Sequence, residues 1–293
     1  MLKQIKWPAL IAISLWGGSF IATKIALEVV PPLTVVSLRL LIAAVFFLPL
    51  LVLTGRWRRI ADRWILLKLL GLSLFGAGLH YGFQTVGLQT TNASNASVYV
   101  ATGPITILLL AVVFLGEKLN ARKILGIVIA MAGVLVVMGL DTVTGFELDG
   151  NLVGDLLVFA SIVMWGCFTV FGKKITGELG ALTVTASVTL IGAAWMAPVG
   201  WIEIQRTGFS LAGITPLAWL AIAYLGACCN FLAVLLYFTA LGHTESQKVG
   251  VYLYAIPPMT AVAAALVLAE PITLGLVVGT LLVIGGVALT ERG

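Results

Sequence analysis

Ten long apolar runs leave this chain little choice of fold. They lie at roughly residues 7–27, 32–53, 66–88, 93–115, 122–139, 152–173, 180–201, 215–240, 247–268 and 273–290. A helix that crosses a bilayer needs about 20 mostly apolar residues, and each run is close to that length. The breaks carry charge or disfavour helix: Pro31-Pro32, Thr54-Gly55, Glu117-Lys118 and Glu270-Pro271. A membrane β-barrel needs short alternating strands, which these unbroken runs exclude. Composition agrees, with 60% of the 293 residues hydrophobic and 10% charged, against roughly 45–50% and 25% in a soluble domain. The expectation is one all-α integral membrane unit.

The first run follows Lys3 and Lys6 and is longer than a signal-peptide core, so it is expected to stay as a span. Cys167, Cys228 and Cys229 all fall inside apolar stretches without ligand-spaced His or carboxylate neighbours, and read as small packing residues. The net charge of +5 is scattered between apolar runs and forms no nucleic-acid patch. No metal and no cofactor is expected, and the partners are the lipid bilayer and a small-molecule substrate.

Basic residues set the expected orientation. Lys3, Lys6, Arg56, Arg58, Arg59, Arg63, Lys68, Lys118, Arg122, Lys123, Lys173, Lys174, Lys248 and Arg292 fall on one side of a ten-span chain; Lys24 and Arg206 fall on the other. Arg39 lies within a span. Both termini are therefore expected in the cytoplasm, in a cell (inner) membrane.

The halves also resemble each other. Trp16-Gly17 and Lys24 recur as Trp165-Gly166 and Lys173, 149 positions later. Tyr99, Pro104, Glu117, Gly126 and Gly133 recur as Tyr252, Pro257, Glu270, Gly279 and Gly286, 153 positions later. Five spans per half is an odd number, so the second half must sit upside down. Residues 1–140 and 141–293 are thus expected to be two inverted five-helix repeats, the architecture of alternating-access transporters.

The stretch from Leu15 through Trp16, Gly17 and Gly18 to Lys24, followed by Pro31-Pro32 and Arg39, resembles the opening of EamA-type members of the drug/metabolite transporter superfamily. The run Thr91-Asn92-Ala93-Ser94-Asn95-Ala96-Ser97, then Pro104, then Leu115-Gly116-Glu117, is similar to that family's third to fifth helices. The resemblance covers essentially the whole chain and implies a ten-helix inverted-repeat transporter of small metabolites. Within the family, length and aromatic central residues match aromatic amino-acid exporters of the YddG type.

Polar and aromatic residues at helical spacing mark faces that avoid lipid. One stripe is Asn95, Tyr99, Thr102 and Thr106; another is Gly76, His80, Gln84, Gly87 and Thr91. The first span offers Trp16, Ser19 and Thr23, and its counterpart Ser161, Trp165, Thr169 and Gly172. The eighth and ninth spans add Asn230 with Tyr237, and Lys248 with Tyr252. The substrate-binding candidates are Trp16, His80, Gln84, Asn95, Tyr99, Trp165, Tyr237, Lys248 and Tyr252. The competing reading is helix–helix packing for the stripes, a neutral hydrogen-bonded imidazole for His80 and snorkelling for Lys248. Gating or structural roles are expected for Arg39, Pro104, Glu117, Pro257 and Glu270, the prolines as kinks. Gly275 and Gly279 form a small-xxx-small face, suited to packing within the protomer or in a homodimer.

No catalytic residue is expected, because Ser73 and His80 have no third group and neither HExxH nor GxxxxGK[ST] occurs. The expected function is ATP-independent transport of small metabolites, amino acids including aromatic ones, with export as the direction. The alternatives are efflux of drugs or lipophilic cations and, behind it, a membrane-embedded enzyme.

Overall fold

The computed structural model describes residues 2–60, 62–91, 99–139, 152–268 and 273–293. Among these residues every regular element is helical. Among the described residues eight helices are long and apolar enough to cross a membrane: α1 (Trp7–Leu27), α2 (Pro32–Leu53), α3 (Arg63–Thr90), α5 (Ala121–Met138), α6 (Leu152–Leu179), α7 (Ala181–Thr207), α8 (Pro216–Leu241) and α10 (Leu274–Glu291). Between them lie a shorter apolar helix, α4 (Tyr99–Leu115), and a composite helix, α9 (246–268). Large apolar side chains such as Val45, Leu48, Val113, Leu220, Leu281 and Ile284 point outward. A soluble protein does not carry such a surface, whereas lipid matches it.

Where the helices bend, the chain shows why. α9 starts as Ser246–Gly250, tightens to a 3-10 stretch at Val251–Ala255 and resumes as Ile256–Leu268. Pro257 and Pro258 have no N–H to give to the carbonyls four residues earlier, and the turn before them tightens. α3 and α8 each widen to a π-helical stretch, at Leu74–Leu79 and Leu225–Ala233. Pro31, which starts α2, cannot cap it with a side chain. Glu203 of α7 caps it instead, accepting from the amides of Leu33 (3.2 Å) and Thr34 (2.6 Å) and from Thr34 Oγ1 (2.7 Å).

The helices pack in reciprocal fashion: α2 lies along α7, α3 along α6, α1 along α8, α4 against α6 and α9 against α1. The tightest crossing joins α5 to α10. A Cβ on Gly126 would stand 2.6 Å from the Gly286 carbonyl oxygen, and one on Gly133 would stand 2.7 Å from that of Gly279. Residue numbers rise along one helix as they fall along the other, so the pair is antiparallel, and glycine lets the backbones touch. Gly275 also faces α5, where an added Cβ would stand 3.2 Å from the Val136 carbonyl oxygen. The small-residue face of α10 is therefore used inside the protomer.

Candidate functional site

The helices enclose a central cavity of about 100 Å³. α1 contributes Trp16, Ser19, Phe20 and Thr23; α2 contributes Arg39; α3 contributes His80, Tyr81, Gln84 and Leu88. α4 adds Val100, Ala101 and Pro104, α6 adds Ile162 and Trp165, and α9 adds Tyr254, Ile256 and Pro257. Most of these positions lie in the half of each helix nearer the end where α1 finishes and α2 begins.

The aromatic wall is built around two tryptophans. Trp16 and Trp165 meet edge to face, with ring centroids 5.2 Å apart and planes at 88°. Trp16 Nε1 donates to the Cys229 carbonyl at 3.2 Å, within the π-helical stretch of α8. His80 contacts Trp165 and Tyr81 with tilted rings, centroids 5.1 Å and 4.8 Å away and planes at 43° and 55°. Its Nδ1 lies 2.8 Å from the Ser161 carbonyl oxygen. A carbonyl can only accept, so Nδ1 carries the hydrogen and, in the neutral ring, Nε2 is an acceptor.

Arg39 is the charged member of the wall and is only 4% exposed. Nε donates to Asn230 Oδ1 at 2.8 Å, and the guanidinium carbon lies 4.3 Å from the centre of the Tyr81 ring. Neither Asp nor Glu occurs among the described lining residues.

Not every anticipated residue faces this space. Trp16, His80, Gln84, Trp165, Pro104 and Pro257 line it, and so does Arg39, read from sequence as a gate or structural residue. Tyr237 lies behind the wall, fully buried against Trp16 (5.2 Å) and Trp165 (5.6 Å). Tyr99 turns toward Phe159 of α6, with ring centroids 6.0 Å apart. Tyr252 turns to α10, where its hydroxyl donates to Glu291, and Tyr254 faces the cavity in its place. The cause is the 3-10 stretch, which advances each residue by about 120° instead of about 100° and so takes Tyr252 off a stripe drawn for an α-helix. Lys248 sits in the first turn of α9, away from the cavity lining. Asn95 and Glu270 lie outside the described residues. Tyr81 and Tyr254 were missed. Tyr81 carried one sequence signal, its place next to His80, while its contact with Arg39 exists only in the fold; Tyr254 carried none that an α-helical period could reveal.

The opposite end of the bundle is held by charge. Glu117, between α4 and α5, accepts from Lys173 Nζ (2.7 Å) and from the amides of Ser246 (2.7 Å) and Gln247 (3.2 Å) at the start of α9. Burial by itself raises the carboxyl's pKa, but the Lys173 ammonium and these two amides outweigh it and hold the group below its ordinary value. Beside it Lys123 of α5 pairs with Glu245 and donates to the Lys118 carbonyl at 2.7 Å.

A multi-span helical membrane protein with an aromatic cavity at its centre belongs, as a class, with membrane carriers. The chain belongs to the EamA-like transporter family, whose profile matches residues 7–139 and again 152–292. It is 29% identical to an uncharacterized transporter of Archaeoglobus fulgidus, over 98% of this chain and 99% of that one. A second uncharacterized transporter of that organism is 31% identical, with 94% and 93% covered. A probable amino-acid metabolite efflux pump of Escherichia coli is 26% identical, with 97% and 94% covered. A solved crystal structure superposes with a TM-score of 0.80 at 21% identity, covering 97% of this chain and 96% of that one, and speaks for the fold alone.

Proposed function

We propose that this protein is a secondary transporter of small amphipathic metabolites, amino acids among them, which works by alternating access between two inverted five-helix halves. The observation that carries the reading is the Trp16–Trp165 contact at 5.2 Å on the cavity wall. These are equivalent positions of the internal repeat, so the cavity lies where the two halves meet, as expected of an inverted-repeat carrier. The packing supports the same symmetry. The α5–α10 crossing pairs Gly126 with Gly286 and Gly133 with Gly279, and exchanging each glycine for its repeat mate turns one pair into the other. Gly17 faces Met259 and Gly166 faces Thr106, again interchanged by the repeat. The family profile matches once in each half. Ten spans, with both termini cytoplasmic in the inner membrane, complete the reading.

In that frame the Glu117 end is the cytoplasmic one. The Glu117–Lys173–α9 cluster closes it, while the cavity sits nearer the other end. Export, the direction in which the Escherichia coli relative is named to work, requires this cluster to open and admit substrate. Aromatic walls with few hydrogen-bonding groups suit an amphipathic solute; a lipophilic cation is the second reading, favoured by the same aromatic faces.

The test is counterflow of radiolabelled amino acids, aromatic ones included, and of a lipophilic cation into liposomes holding the purified protein, with and without a pH gradient. Saturable flux that falls at least ten-fold in Trp16→Ala and in Trp165→Ala is the expected result. Flux of every substrate left unchanged by both substitutions would remove the cavity from the transport path. Flux of the lipophilic cation alone would transfer the assignment to the second reading.

A further inference from the structure

We infer that Arg39 is the binding group for a substrate carboxylate, so that the cavity selects aromatic or apolar carboxylates and does not require a cationic amine. The inference rests on the transport reading of the cavity but concerns what the cavity holds.

Arg39 lies seven residues, about 10 Å along the helix axis, in from Pro32. An arginine at that depth stays charged, and burying a charge is costly unless it is paired and hydrogen-bonded. Its environment goes only part of the way. Asn230 takes Nε and Tyr81 offers a ring face; both terminal amino groups are without a hydrogen bond to any described residue. No ion pair to Arg39 exists among the described residues. The charged groups on the packed helices are committed elsewhere or distant: Glu203 of α7 caps α2, and Lys24 of α1 is a cation that is exposed. α8, which supplies Asn230, contains no charged residue at all.

Among the described lining residues Arg39 is the one charged group, held by its Nε bond, and its two terminal amino groups have no hydrogen bond to a described residue. A planar fork with free donors matches a carboxylate, which can accept two parallel bonds from it. A phosphate dianion would need more than one cation to offset its desolvation, and the described lining residues offer only Arg39. Around the fork, Trp16, Trp165, Tyr81 and Tyr254 supply faces for an apolar body. With Nδ1 donating to Ser161, the neutral form of the His80 ring would offer Nε2 as an acceptor for an ammonium where the ligand has one. A cation without a carboxylate would face Arg39 with like charge and no acidic partner among the described lining residues, which is unfavourable.

Four probes of similar size separate the groups: phenylalanine, 3-phenylpropionate, phenethylamine and phenylalaninamide. Each is tested for counterflow in liposomes and for thermal protection of the detergent-purified full chain. The two carboxylates are expected to move and to protect, and the amine and amide to do neither. Arg39→Lys keeps the charge but loses the fork, and is expected to raise the half-saturating carboxylate concentration at least ten-fold. Protection of the unaltered protein needs no variant, so poor folding of Arg39→Lys cannot mask the answer. Equal flux or protection by phenethylamine and phenylalaninamide would overturn the inference while leaving the transport reading standing. Carboxylate protection without flux of any probe would uphold the anion site and count against transport; no protection and no flux by any probe would overturn the site. Phenylalanine without 3-phenylpropionate would overturn the claim that the amine is dispensable.

Discussion

Replacing Glu117 by Gln tests whether charge closes the end of the bundle where α9 begins. The substitution keeps shape and removes one negative charge. Glu117 accepts three hydrogen bonds, from Lys173 Nζ and from the amides of Ser246 and Gln247, and is 7% exposed. A hydrogen bond to a charged group contributes about 1.5–3 kcal/mol and a neutral one about 0.5–1.5. Each of the three therefore weakens by about 1 kcal/mol, and the new amide also turns a donor toward one of them. Lys173 is 24% exposed, so water screens part of its share. A net loss of about 2 kcal/mol is expected, which shifts the closed-to-open ratio about 30-fold at 1.4 kcal/mol per factor of ten. Ser246 and Gln247 report on this directly, because their amide hydrogens are the ones bonded to Glu117. Amide hydrogen exchange on a peptide covering 243–250 should speed up between 10- and 100-fold in Glu117→Gln, with peptides from α2 and α7 unchanged. An acceleration under about three-fold, with the global controls intact, would refute the idea that the carboxylate holds this end shut.

The same cluster has a pH signature. The folded-state pKa of Glu117 lies below the ordinary carboxylate value, so its contribution is fully present above that ordinary value and disappears as pH falls through the lowered one; exchange at 243–250 should accelerate only in that acidic window. Gly126→Val places a side chain 2.6 Å from the Gly286 carbonyl oxygen, and overpacking of this kind costs about 1–3 kcal/mol. A fall of several degrees in the thermal midpoint in detergent is expected, with none for Gly285→Ala, where nothing lies within 4 Å. Glu203→Ala removes three bonds from the start of α2, and should cost about 1–2 kcal/mol in thermal stability, with faster exchange confined to the first turn of α2. Asn230→Leu strips Arg39 of its single side-chain hydrogen bond and should weaken carboxylate protection at least as much as it lowers the midpoint.

The apolar runs, the charges at their ends and the recurring residues were readable from the chain alone, because bilayer thickness and backbone satisfaction act on local sequence. The repeat could be read the same way, since Trp16 and Trp165 or Glu117 and Glu270 are identities at fixed offsets. The stripes divide: His80 and Gln84, four residues apart, both face the cavity, whereas Tyr99, Thr102 and Thr106 on α4 do not, their places being taken by Val100, Ala101 and Pro104. What only the tertiary structure decided was everything that depended on partners or on irregular helix. Tyr254 replaces Tyr252 at the cavity because two prolines tighten the turn before them, which changes the helical period that sequence reasoning assumes. Tyr237 is fully buried behind Trp16 and Trp165, a placement set by the packing of α8 and not by its spacing in the sequence. Arg39 reads as a gate or structural residue in one dimension; its place on the cavity wall and its bond to Asn230, 191 positions away, come from packing. Glu117 likewise drew its role from Lys173 and the start of α9, at 56 and 129 positions' remove. Hydropathy and repeat identity are properties of single positions, whereas a cavity and an ion pair are properties of distances between positions, and packing alone sets those.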